Sequence, residues 1–148
     1  GPEHWASNAR RVAGYKRALG EQGLSLPIVH AERTTIESGD EAFRKLIARQ
    51  PDLTAICAVN DAMALGAMRA VQEMGKSIPG DLSIVGFDDI PLASLNEPQL
   101  TTIRVPKRQM GAEAAARMLA MLSSPELAPV EVLVSVELVR RASTKLCV

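Results

Sequence analysis

The run Val85-Gly86-Phe87-Asp88-Asp89, followed by Pro98-Gln99-Leu100-Thr101-Thr102, decides the fold. An apolar stretch feeds a glycine and then two adjacent carboxylates. A buried parallel strand ends this way when it opens into a ligand crevice, because ligands of open α/β sheets bind outside the carboxyl ends of the strands. Upstream, Ala58-Val59-Asn60-Asp61 repeats the arrangement after a mostly apolar run over residues 53–59. Two strand ends presenting Asn and Asp side by side make a small polar-ligand site.

Working outward, residues 5–22 read as a helix with Ala9, Val12, Ala13 and Leu19 on one stripe and Gly23 as its stop. Residues 26–29 read as a short strand. Ser38 is positioned to cap a second helix that carries Ala42, Phe43, Leu46 and Ile47 on one face, with Pro51 after its end. Residues 53–59 form a strand, Asn60 caps a third helix over 61–74, and Gly75 stops it. After a turn at 78–81 comes a strand over 82–87. The β-α-β-α-β order predicts an α/β fold with a parallel sheet covered by helices in three layers, and right-handed crossovers. The remainder reads as an extended piece over 100–105, an Ala/Met-rich helix over 107–122, a break at Ser123-Ser124-Pro125 and a β-branched final strand over 130–139.

The third helix is apolar nearly all round, which requires burial on more than one side. The sheet takes one side. A second copy of the chain is the simplest cover for the other, with Met63, Ala67, Met68 and Val71 as the expected dimer interface.

Composition narrows the function. The 148 residues fit one domain. Lys+Arg and Asp+Glu both number 17, so there is no basic excess to neutralise phosphates, and direct binding of DNA or RNA by this chain is excluded. Cys57 and Cys147 form neither a disulfide framework nor a zinc pattern. His4 and His30 are isolated, so no metal site and no cofactor is expected. No signal peptide and no membrane-spanning apolar run is expected from the residues read. No Gly-rich phosphate loop or nucleophile elbow points to an enzyme. Asp88 and Asp89 are adjacent at a strand end and face different ways, which argues against a carboxylate dyad. Plainer roles stand beside a ligand site: Asn60 as a helix cap, Asp88 and Asp89 as caps of 90–95, and Arg11 as a solvated residue or a partner of Asp88.

The series Asn60-Asp61-Ala62-Met63-Ala64-Leu65-Gly66-Ala67, Ile78-Pro79-Gly80-Asp81-Leu82-Ser83-Ile84-Val85-Gly86-Phe87-Asp88-Asp89, Pro98-Gln99-Leu100-Thr101-Thr102, Met110-Gly111 and Leu138-Val139-Arg140-Arg141-Ala142-Ser143-Thr144 resembles the LacI/GalR family of bacterial transcription regulators. Gly1-Pro2 and Ala9-Arg10-Arg11-Val12-Ala13-Gly14-Tyr15 match its earlier segment. The resemblance covers essentially the whole chain, in order.

It implies a periplasmic-binding-protein-type effector domain, of which this chain is the C-terminal lobe, without the helix-turn-helix and most of the N-terminal lobe. Residues 1–100 correspond to the lobe, 101–123 to a segment that packs with the N-terminal lobe, and 124–148 to the returning strand and tail. Met110, Ala114, Met118, Leu119 and Leu122 would then need a substitute neighbour, by dimerisation or swapping. The family positions that contact the effector fall on Arg11, Asn60 and Asp88, with Trp5 and Ser7 lining the pocket. Thr34 stands where many members place an aromatic, which points away from ring stacking on the ligand. The implied partners are a carbohydrate effector, a second copy, and DNA only through the helix-turn-helix. The implied setting is a cytoplasmic repressor or activator. A periplasmic sugar-binding protein of a transport system is the alternative, and Asp88-Asp89 with Leu100-Thr101-Thr102 favours the regulator.

Overall fold

A computed structural model describes residues 1–124 and 126–146. Pro125 of the expected break, and Cys147, lie outside the described residues. Among the described residues the elements run in the order α1 (Ala6–Gly20), α2 (Ile36–Arg49), β1 (Ala55–Cys57), α3 (Asp61–Glu73), β2 (Ser83–Val85), α4 (Pro91–Leu95), β3 (Thr102–Arg104), α5 (Lys107–Ser123) and β4 (Glu137–Val139).

β1 and β2 pair in parallel with Cys57 opposite Val85. β3 and β4 pair antiparallel with Ile103 opposite Leu138. Parallel bridges at Val85–Thr101 and Asp88–Arg104 connect the two pairs, with Gly86 N donating to Thr101 O at 2.9 Å and Asp88 N to Ile103 O at 2.9 Å. The expected parallel α/β arrangement is therefore present, and its strands are shorter than their apolar runs.

Two expected strands differ. Residues 26–29 form no ladder with β1. Pro27 removes a donor from the segment, and residues 26–29 and β1 both line an apolar cavity of about 580 Å³ under the inner face of α1. Of 130–139, only Glu137–Val139 is a strand. Val130, Val132, Leu133 and Val136 are exposed. β-branched composition favours a pleated surface but does not supply the neighbouring edge that a strand needs.

The cap of α2 also lies elsewhere than expected. Thr35, not Ser38, is the N-cap, and its hydroxyl accepts from Ser38 N at 3.2 Å. Asn60 caps α3 as its sequence position predicts, its Oδ1 accepting from Met63 N at 2.9 Å.

The core lies between α2, α3 and the sheet: Phe43 and Ile47 pack with Ala64, Leu65, Met68 and Val71, and these with Leu82, Ile84 and Leu100. This corrects the expected interface. Met63, Ala67, Met68 and Val71 are 5%, 3%, 1% and 0% exposed within the single chain. α2 is the second cover that the apolar α3 demands, so these four side chains are unavailable to another copy. α5 buries none of its residues, and Met110, Met118, Leu119 and Leu122 are exposed.

Asp40 ties α2 to α3. It accepts from Arg44 Nε at 2.6 Å and from Arg69 Nη2 at 3.1 Å, and both arginines also reach Glu73. The Arg44 hydrogen bond, helped by Arg69 and opposed by burial, holds the Asp40 carboxyl below its ordinary value of 3.8. A carboxyl lowered in the folded state adds stability above its unfolded pKa and loses it as pH falls through the folded one. Asp40→Asn is therefore expected to lower the urea midpoint at pH 7. The gap to the parent chain should close towards pH 2, and a gap that stays constant between the two would count against this assignment.

Candidate ligand-binding site

Parallel register builds the site. With Cys57 opposite Val85, Asn60 and Asp88 each stand three residues beyond the last pair, at neighbouring strand ends. Asp61 N donates to Phe87 O at 2.9 Å and fixes the two ends together. Behind them the Asp61 carboxylate, fully buried, accepts from Ile90 N at 2.8 Å and from the Thr102 hydroxyl. Gly86 leaves room for it: a Cβ there would lie 2.2 Å from Asp61 Oδ1. Sequence reasoning missed this support. Its one signal is an acidic residue in the first turn of α3, where the helix dipole favours negative charge.

Asp88 and Asp89 both have positive φ, 113° and 49°. Non-glycine residues held in such regions cost about 1–3 kcal/mol each and persist where surrounding structure over-determines them. As expected, the two carboxylates part company. Asp88 is half-buried, with Arg11, Asp61 and Lys107 as its charged neighbours. Burial pushes its pKa up and the Asp61 charge adds to this, while Arg11 and Lys107 oppose. Asp89 pairs instead with Arg104 and Arg141. Burial works to raise its pKa, and the Arg141 and Arg104 hydrogen bonds outweigh that and lower it.

Arg11 reaches from α1 to the same place. Its Nη1 donates to Val59 O at 2.7 Å, and its guanidinium carbon lies 3.8 Å from the centroid of the Phe87 ring. Both anchors lie next to the key strand-end residues, and a planar fork held on a ring keeps further donors in a set orientation. Asn60 is engaged at both ends of its amide: beyond the cap, Nδ2 donates to the carbonyl oxygen of Thr34 at 3.2 Å. Thr34, half-buried, packs here beside Gly1, where a Cβ would meet Thr34 Cγ2 at 3.1 Å and Val59 Cγ1 at 3.0 Å.

The structure thus brings Arg11, Thr34, Asn60 and Asp88 to one place. Trp5 and Ser7 are exposed at the start of α1. Ser7 lies one turn before Arg11 on the same helix face, and Trp5 meets His4 edge-on at 6.5 Å. Also missed was Asn8, 5% exposed, whose Nδ2 donates to Pro2 O at 2.7 Å. It lines the cavity under α1 together with Arg11.

The geometry gathers polar and charged side chains at two neighbouring strand ends. The periplasmic binding protein-like domain matches residues 1–144. The HTH-type transcriptional regulator MalR of Streptomyces coelicolor is 38% identical over 97% of this chain and 43% of that protein. A LacI family transcriptional regulator from Enterococcus faecium, solved with bound ribose, is 31% identical with a TM-score of 0.84, over 97% of this chain and 54% of that one. The chain belongs to the LacI/GalR family.

Within the LacI/GalR family, a solved complex of the regulator CelR with cellobiose superposes with a TM-score of 0.91 at 32% identity, over 97% of this chain and 44% of that one. This LacI/GalR chain spans 43% of the length of MalR and 41% of AscG of Escherichia coli, which is 35% identical to it. Among the described residues, no helix is long and apolar enough to cross a membrane.

Proposed function

We propose that this chain is the C-terminal lobe of the effector-sensing domain of a LacI-type transcription regulator. It recognises the hydroxyls of a carbohydrate without performing chemistry on it. The observation that carries this reading is Asp88: a half-buried carboxylate, turned out on a positive φ at a strand end beside the ring-mounted Arg11. A sugar hydroxyl both donates and accepts, and this pair offers acceptors and a fork of donors. Asn60, largely spent on the cap and on Thr34, contributes its remaining lone pair and N–H. Threonine at 34 provides no stacking face, and Trp5 and Ser7 are the candidates to line the outer side.

The solved relatives with cellobiose and ribose support a sugar effector, and the regulators among the relatives favour transcriptional control over transport. In this reading residues 1–100 form the lobe, 101–123 dock on an N-terminal lobe, and 124–148 return. The exposed apolar side chains of α5 supply the docking face. DNA is held by a helix-turn-helix domain of the full-length cytoplasmic protein, and a ligand preferring one lobe arrangement shifts DNA affinity. Pairing of two copies belongs to the same reading and uses surfaces other than the four buried side chains of α3.

The test is calorimetric titration of the full-length regulator with cellobiose, ribose and other sugars, with recovery of the sugar afterwards. Saturable binding of one sugar class, recovered unchanged, is the expected result. Arg11→Ala should weaken it about tenfold or more, since a hydrogen bond to a charged group contributes about 1.5–3 kcal/mol. Equal binding by the parent and the Arg11→Ala protein would remove Arg11 from the site, and consumption of the sugar would revive an enzyme.

A further inference from the structure

One turn sends two consecutive carboxylates to two different tasks. Asp89 accepts from Arg104 Nε at 2.7 Å and from Arg141 Nη2 at 2.6 Å. Arg104 ends β3, where the chain leaves for α5, and Arg141 follows β4, where it comes back. Each arginine is tied a second time. Arg104 Nη1 donates to Glu137 on β4 at 3.0 Å, and Arg141 Nη1 donates to Leu100 O at 2.8 Å. Lys107, the first residue of α5, donates through Nζ to the carbonyl oxygen of Asp88. The 87–89 turn is therefore fastened to the outgoing segment, the returning segment and the start of α5.

Holding the sheet does not require this. The β3–β4 ladder and the Ser143 hydroxyl, which accepts from Thr101 N and donates to Ile84 O, already join these segments. The Asp89 and Arg141 side chains are 11% and 13% exposed. A buried ion pair of this kind is weak evidence for stability, and its better-attested use is to fix register or to switch.

We infer that Asp89 is a positioning residue that couples Asp88 to both segments joining α5 to the lobe. The inference rests on the ligand reading of Asp88. The two residues share one peptide group and both have positive φ, so turning Asp88 onto a ligand hydroxyl swings Asp89 against the two guanidinium groups. The reverse also holds, because coupling between sites is reciprocal. A shift of α5 pulls on Arg104 and Lys107 and re-aims Asp88.

Amide hydrogen exchange in the full-length regulator tests this at Arg104, Lys107 and Arg141, with and without saturating cellobiose or ribose, whichever binds. In the parent protein the sugar should change exchange at these amides about fivefold or more, the lower end of usual couplings. Asp89→Asn should still bind the sugar, with exchange at the three amides no longer responding, and Asp89→Glu should restore part of the response. Should Asp89→Asn fail to fold, Arg141→Lys keeps the charge and loses the fork, and the same loss is expected. A folded Asp89→Asn protein that responds as the parent does would overturn the inference. A sugar-free arm separates this failure from failure of the ligand reading. Asp88→Asn should alter exchange at Arg104 and Arg141 when Asp89 is present and leave it unaltered in an Asp89→Asn background, a non-additive cycle. Additive effects overturn the coupling even if no sugar binds, whereas sugar binding insensitive to Asp88→Asn overturns only the ligand reading.

Discussion

Gly66→Ala is expected to destabilise the chain by about 2 kcal/mol or more, although alanine is the better helix former. A Cβ at Gly66 would lie 1.9 Å from Ile36 O and 2.8 Å from Asp40 N; a Cβ at Gly39 would lie 2.2 Å from Met63 O. These are backbone atoms, so no side chain can swing aside. α2 and α3 touch main chain to main chain, and an added methyl must force the helices apart. Helix propensity favours alanine over glycine by about 1 kcal/mol. Overpacking a tight core costs about 1–3 kcal/mol, and more where backbone must move. The clash wins, and separation of the helices would also loosen Asp40 from Arg69. Gly111→Ala on α5 is the control: nothing lies within 4 Å of its Cβ position, so only the propensity gain remains and the sign reverses. Urea unfolding of both variants decides the point, and a Gly66→Ala midpoint at or above that of the parent would refute the main-chain contact.

That contact also marks the limit of what sequence periodicity tells. The apolar run before Asp88 and the one before Asn60 predict two parallel strands, and the register places both residues beside each other. The Asn60 cap follows from a residue type with few other uses before an apolar helix. Periodicity shows that α3 is apolar on two sides. It does not show which surface covers the second side, and the cover is α2 rather than another copy. The signal was a glycine in mid-helix, Gly66, whose cost to helix formation implies a close neighbour. Composition likewise predicts strands at 26–29 and 130–139 but not the edges they require. Of the proposed site, Arg11 and Asp88 are read from resemblance and from residue chemistry, and the structure brings them to neighbouring positions. The partners of Asp89 were not, because Arg104 and Arg141 stand 15 and 52 residues away and no local pattern links them. Asp61 was hidden for a related reason: its ligands Ile90 and Thr102 come from separate turns of the chain.

Asp88→Asn should separate binding from stability. On the sugar-binding reading, the carboxylate clasps hydroxyls through two oxygens. Replacing one oxygen by an amide group turns an acceptor into a donor and removes the charge. Losing one charge-assisted hydrogen bond outright, at about 1.5–3 kcal/mol, and the charge assistance of the other corresponds to a loss of affinity well above tenfold. The free protein should respond the other way. Burial, reinforced by Asp61 and opposed by Arg11 and Lys107, raises the Asp88 pKa above its ordinary 3.8, so the charged form costs stability at neutral pH. Asparagine removes that cost and tolerates positive φ as readily as aspartate, so the backbone at 113° is no worse served. The variant should therefore be more stable than its parent at pH 7. The advantage should shrink as pH falls through the raised pKa and vanish below the ordinary value, where both chains are neutral at this position. Urea midpoints at pH 7 and pH 3 measure one half, and sugar titration of the full-length protein measures the other. A destabilised variant at pH 7 would show that Asp88 serves the fold, and unchanged affinity would show that it does not serve the ligand. On the sugar-binding reading, a residue that raises the free energy of the unbound protein does its work when bound, and the half-buried carboxylate at Asp88 is where that trade would be made.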